Sequence, residues 1–218
     1  MTPAVVAAMA PLMSQMHGLW FGCWAMSRVA HGLREAGEQT RCFSYPSTRG
    51  EVSEHAAALA RFARQSPART QNFVGHSLGG LVILRMLAEA KDLPPGRAVL
   101  LGSPLRGSVV GRRTARLPGS RFLLGDSRTA LDGGIEAVPA GREIGMIAGS
   151  RPFGLGWIAG GVGGPGDGTV AIAETQAAGL ADHCILPVSH SGLVFSREVI
   201  RQTVHFLQSG RFEASGAC

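Results

Sequence analysis

Apolar and polar positions follow two alternating rhythms along this chain. Short apolar runs bounded by Gly, Pro and polar residues recur at 70–74, 97–102, 141–149 and 184–188. Such runs predict strands, and the unbroken Val99-Leu100-Leu101 stretch predicts one buried on both faces, as in a parallel sheet. Residues 40–45, closed by Pro46, predict another strand. Residues 11–16 predict a further one, although their composition favours strands weakly. Between these runs, apolar residues recur at helical spacing. Residues 21–36 put Trp24, Val29 and Leu33 on one face and stop at Gly37. Residues 51–65 align Val52, Ala56, Leu59 and Phe62, with His55 on the solvent side. Residues 78–88 read as a buried helix, and residues 192–208 carry Leu193, Val199, Ile200, Val204 and Leu207 as an apolar side.

This alternation predicts an α/β fold, a mostly parallel doubly wound sheet with helices on both faces. No internal repeat or composition break divides residues 1–218, so one domain is expected. Residues 108–140 lack a sheet pattern and are rich in Gly, Arg and Pro. A segment of that length between strands predicts a lid or cap.

The sharpest local signal is Gly75-His76-Ser77-Leu78-Gly79, a G-x-S-x-G turn set between a predicted strand and a predicted helix. That context lifts a serine hydroxyl out of the backbone. Gly75 and Gly79 let strand and helix approach closely. The first N–H groups of the helix have no intrahelical partner, so the Leu78 N–H can donate to a developing oxyanion. Upstream, His17-Gly18 opens a tight turn that makes the Leu19 N–H a second candidate donor, with Trp20 beside it.

A serine nucleophile needs a base, and the base needs an orienting acid. Of the seven histidines, His17, His31, His55 and His76 precede Ser77. His183 falls before the last strand and His205 inside the last helix, which leaves His190 in a polar Ser-His-Ser-Gly loop just past that strand. For the acid, Asp126 and Asp132 sit in the lid segment and Asp182 at the far end of the last strand. Asp167, in Gly166-Asp167-Gly168-Thr169-Val170, lies in the loop after the penultimate strand. Ser77, Asp167 and His190 can therefore meet at the carboxyl edge of the sheet, where open α/β sheets bind ligands.

Composition narrows the partners. Net charge is +6, yet Lys91 is the only lysine and the arginines are scattered, with a single denser group at Arg112, Arg113 and Arg116. Nucleic-acid binding is not expected; an acidic substrate or peripheral contact with an anionic membrane fits the charge better. No run of about 18 apolar residues exists to span a membrane. The apolar N-terminus has no basic region and no charge before Arg28, so it reads as structure rather than a secretory signal. Cys23, Cys42, Cys184 and Cys218 show no CxxC or metal-ligand spacing; free thiols in a reducing, cytoplasmic setting are expected, with Cys23 and Cys184 as buried packing. No metal or cofactor is expected.

Taken together, His17-Gly18-Leu19-Trp20, Gly75-His76-Ser77-Leu78-Gly79-Gly80, Gly102-Ser103-Pro104, Arg106-Gly107-Ser108, Asp167-Gly168-Thr169-Val170 and Ser189-His190-Ser191 resemble the α/β-hydrolase superfamily, most nearly its compact bacterial lipase-like esterases. The resemblance spans nearly the whole chain in the expected order. It implies a minimal α/β-hydrolase without the leading strands of larger relatives, and a Ser77–His190–Asp167 triad. Leu105 departs from the pattern, since related lipases and lipid deacylases often carry His there. That residue lies outside the triad but bears on substrate contacts.

The expected activity is hydrolysis of carboxylic esters, small or acyl-lipid, through an acyl-enzyme. Trp20, Leu105, Phe122, Leu123 and Leu124 are candidates for an apolar acyl pocket. Acyl transfer, thioesterase or amidase action would use the same triad. A non-catalytic, hydrolase-like binding protein is the reading of another class, and the intact Ser77, Asp167 and His190 argue against it.

Overall fold

The computed structural model describes residues 12–19, 22–116, 125–154 and 160–214. Six strands form one sheet: β1 (Leu12–Met16), β2 (Gln39–Phe43), β3 (Gln71–His76), β4 (Ala98–Leu101), β5 (Ile144–Gly149) and β6 (Asp182–Leu186). They lie in the order β2-β1-β3-β4-β5-β6, and every neighbouring pair is parallel. The weakly β-forming 12–16 segment is a strand because it is paired on both sides, Met16 lying between Phe43 and Gly75. Tertiary pairing overrides local propensity there.

Helices α1 (Ser27–Glu35), α2 (Val52–Arg64), α3 (Leu78–Glu89), α4 (Val109–Ala115), α5 (Arg128–Asp132) and α6 (Arg197–Ser209) follow in chain order. Successive strand residues point to opposite faces. Phe73, Leu100 and Met146 pack with Leu59, Ile83 and Met86 of α2 and α3 on one side. Val74, Val99, Leu101 and Ile147 pack with Val29, Leu33, Val199 and Phe206 of α1 and α6 on the other. The sheet is thus buried on both faces, and each fully buried large apolar side chain contributes about 1.5–3 kcal/mol. The segment expected as a lid contains α4, α5 and a short 3-10 turn at Gly125–Ser127.

Three expectations need correction. The helix after β1 begins as a 3-10 turn, Cys23–Met26, before α1. Its tighter winding takes Trp24 off the Val29–Leu33 face, leaving it 64% exposed. His55 is buried rather than solvent-facing, because the Tyr45 ring from the loop after β2 covers it at 4.8 Å. The cysteines are not free thiols: Cys23 and Cys42 form a disulfide, and Cys184 is disulfide-bonded as well. The β1–β2 pairing puts Cys42 opposite Gln15, close to the turn that carries Cys23. Cys184 is fully buried as expected. Trp20, Phe122, Leu123, Leu124 and Cys218 lie outside the described residues.

Candidate active site

Parallel pairing delivers the ends of β1, β3, β4, β5 and β6 to one edge. Ser77 stands at the end of β3 with φ 54 and ψ −122, the one non-glycine residue with positive φ among those described. A side chain in that strained region marks a position that the surroundings enforce. Close packing of the elbow enforces it here. A Cβ on Gly75 would come within 2.7 Å of the Gly80 nitrogen, and one on Gly79 within 2.7 Å of the His17 carbonyl oxygen. The Ser77 N–H is held by the Leu101 carbonyl of β4 at 2.8 Å.

Asp167 and His190 meet in the loops after β5 and β6. The His190 Nδ1 lies 2.7 Å from Asp167 Oδ2, and the His190 N–H donates to the Asp167 carbonyl at 2.9 Å. Asp167 is almost fully buried, and its Oδ1 accepts the N–H groups of Thr169 (2.9 Å) and Val170 (2.7 Å). A carboxylate so engaged is an acceptor, so His190 Nδ1 carries a proton and donates it to Asp167. Gly102, at the end of β4, lies against this pair: a Cβ there would be 3.1 Å from Asp167 Oδ2 and 3.3 Å from His190 Nδ1.

The turn after β1 comes to the same place. A Cβ on Gly18 would lie 3.0 Å from both the Ser77 Cβ and the His76 Nδ1. The turn that carries the Leu19 N–H is therefore in contact with the Ser77 elbow, and Leu78 opens α3 immediately after Ser77. Leu105 is completely buried and borders a cleft of about 470 Å³ shared with Leu81, Leu84, Ile135 and Pro139.

Three participants escaped the sequence reading. His76 is buried, and its Nε2 donates to the His190 carbonyl at 3.1 Å. Burial, then the neighbouring His190, lowers its pKa to about 3, so it stays neutral. Glu174 is buried and holds the start of the 108–140 segment. Its Oε1 accepts the Val109 N–H at the start of α4 (2.5 Å) and its Oε2 the Ala171 N–H (2.8 Å). Burial raises its pKa. Tyr45 packs on His17. His76 fills the variable second position of the G-x-S-x-G turn, Tyr45 and Glu174 belong to no motif, and only the fold brings the three to their partners. Among the described residues no cluster of three or more His, Cys, Asp or Glu is arranged to hold a metal.

A six-stranded parallel sheet with helices on both faces, with a positive-φ serine at the end of β3 and a buried Asp–His pair in the loops at the same edge, is the arrangement of the α/β hydrolases. Comparison with known proteins agrees. The Alpha/beta hydrolase family model matches residues 16–167, and the chain belongs to that family. Solved structures share the fold. A mature lipase from Bacillus licheniformis superimposes with a TM-score of 0.75 at 18% identity, over 93% of this chain and 92% of its own. A hydrolase from Pseudomonas aeruginosa gives 0.65 at 14% identity, over 92% and 90%. An esterase from Pyrococcus furiosus gives 0.62 at 19% identity, over 92% and 82%. No curated protein sequence matches the chain.

Proposed function

We propose that this hydrolase cleaves carboxylic esters, with acyl-lipid esters as its substrate class, through a Ser77–His190–Asp167 triad. The observation that carries the reading is the Asp167–His190 pair, oriented so that the free Nε2 of His190 belongs to the same sheet edge as the strained Ser77. Ser77 Oγ attacks the ester carbonyl while His190 Nε2 takes its proton. The N–H groups of Leu19 and Leu78 hold the oxyanion. Collapse expels the alcohol, which takes the proton from His190, and leaves an acyl-serine. Water, deprotonated by His190, attacks this ester and restores Ser77. Asp167 fixes the tautomer and stabilises the imidazolium throughout. The whole sequence conserves charge and needs no redox partner.

The lipid version is supported by the surroundings of the site. Trp24, Phe153 and Phe195 are exposed, at 64%, 83% and 41%, on loops following β1, β5 and β6. Each has an exposed arginine nearby: Arg28, Arg151 and Arg197. Aromatic rings with cations beside them suit peripheral contact with an anionic membrane. Leu105 and the cleft it borders offer room for an acyl chain. Among the described residues no helix is long and apolar enough to cross a membrane. The disulfides remove the basis for a cytoplasmic setting and favour an oxidising compartment.

A fluorophosphonate probe tests the reading. Wild type labels and Ser77→Ala does not; an unlabelled wild type defeats it. A panel of p-nitrophenyl esters then places the acyl pocket. Preference for acetate over every longer chain defeats the lipid version and keeps the esterase.

A further inference from the structure

Tyr45 sits just beyond β2, buried, and grips His17 in three ways. Its ring stacks on the imidazole at 4.6 Å with an 18° interplanar angle. Its backbone N–H donates to His17 Nε2 at 3.3 Å, and its hydroxyl donates to the His17 carbonyl at 2.9 Å. Burial pushes the phenol pKa up, so the hydroxyl remains a donor.

The backbone N–H of Tyr45 can only donate, so Nε2 of His17 must accept, and the ring proton is left on Nδ1. Nδ1 faces the Gly18 carbonyl oxygen at 2.9 Å and donates to it. This pins the Gly18–Leu19 peptide. In a trans peptide the C=O and N–H point in opposite directions. Holding the Gly18 carbonyl towards His17 therefore aims the Leu19 N–H away from it. The His17 carbonyl is fixed in turn between the Tyr45 hydroxyl and the first turn of α3, where Gly79 leaves room only for a hydrogen.

We infer that Tyr45, acting through His17, is a positioning residue that selects the His17 tautomer and aims the Leu19 N–H as an oxyanion donor. The inference rests on the proposed esterase reading, since it assigns Leu19 to that role. Neither residue touches substrate; both act on the direction of one N–H group. Losing an oxyanion donor outright costs about 10²–10³ in kcat. A misaimed donor falls short of that.

Tyr45→Phe removes the hydroxyl contact and keeps the stack. His17→Phe keeps the stack and removes the Nδ1–H. His17→Asn restores a side-chain N–H near the Nδ1 position. Steady-state kinetics on the best p-nitrophenyl ester should show kcat reduced about tenfold or more for both Phe variants, with KM within about twofold and partial recovery in His17→Asn. Affinity for a trifluoromethyl ketone, whose hemiketal oxyanion occupies the same hole, should fall in parallel with kcat. Either Phe variant retaining wild-type kcat overturns the inference. So does a loss of kcat with unchanged ketone affinity, which would mark a merely structural role. Nitrogen-15 NMR of wild type reads the tautomer without any substrate, and a proton on His17 Nε2 also overturns the inference. A wild type that fluorophosphonate does not label defeats the esterase reading itself, and the inference with it.

Discussion

His76 donates its Nε2–H to the backbone carbonyl of His190, 114 residues further along the chain, at 3.1 Å. The residue before the proposed nucleophile thus holds the loop of the proposed base. Burial lowers the pKa of His76 to about 3, so the neutral ring makes this bond with its proton on Nε2. The unfolded chain binds a proton near pH 6.5, the folded one only near 3. Between those values the unfolded state carries more protons, so stability is complete above pH 6.5 and declines as pH falls towards 3. The full effect is on the order of 5 kcal/mol for this group. His17 and His183, lowered by burial, act in the same direction. Urea unfolding between pH 7 and 4 should show a falling midpoint, with a shallower fall in His76→Gln, whose amide can still donate to the carbonyl. An unchanged slope in that variant would refute the assignment.

Asp167→Asn should keep the fold and lose the chemistry. An asparagine can present its amide N–H to His190 Nδ1, which turns the imidazole to the wrong tautomer. The expected loss in kcat is about 10⁴ at neutral pH with little change in KM. Measuring kcat alongside the thermal midpoint separates this outcome from misfolding.

Reduction should loosen the β1–β2 corner. The Cys23–Cys42 bridge closes a loop of sequence separation 19. Constraint of an unfolded chain over that length contributes about 3 kcal/mol. For a chain of this size that corresponds to about 6–12 °C in Tm. Calorimetry on a Cys23→Ala, Cys42→Ala double variant gives the value directly, and mass spectrometry of the untreated protein with and without alkylation counts the bridges.

Replacing Trp24, Phe153 and Phe195 with Ser should separate docking from turnover. Hydrolysis of a soluble p-nitrophenyl ester is expected to persist. Hydrolysis of an ester embedded in phosphatidylglycerol vesicles should fall at least about tenfold, with the residual binding weakened further by salt. Equal losses on both substrates would argue against a membrane-facing rim.

The parallel sheet was legible because Val99-Leu100-Leu101 and similar runs are buried on both faces, and the sequence records burial directly. That Ser77, Asp167 and His190 lie at one edge was legible because Ser77 directly follows β3 and the other two lie in the loops after β5 and β6, which a parallel topology takes to the same edge. What escaped depends on contacts between distant segments. The spacing of His55 places it on a polar helix face, and only the arrival of Tyr45 from another loop buries it. Trp24 shares a helical face with Val29 on paper, until a 3-10 turn shifts its phase. Cys23 and Cys42 carry no motif, and pairing of β1 with β2 is what brings them together. The bond from His76 to His190 likewise joins the end of β3 to the loop after β6, which no local pattern relates.

The absence of space around Gly79 has a consequence for how such a protein can diversify. The His17 carbonyl, the first turn of α3 and the Ser77 elbow interlock without slack, so substitutions there are penalised together. The segment containing α4 and α5 is attached differently. It is anchored by hydrogen bonds, Val109 to Glu174, Ile135 to the Leu105 carbonyl and Gly50 to Asp126, and by Ala130, Ile135 and Val138 on the core, while its outer face is exposed. Exposed positions there, such as Arg113, Thr129 and Asp132, can be exchanged without disturbing the interlocked centre. New substrate preferences, whether selected in nature or in a directed library, should therefore accumulate in that segment while the centre drifts little.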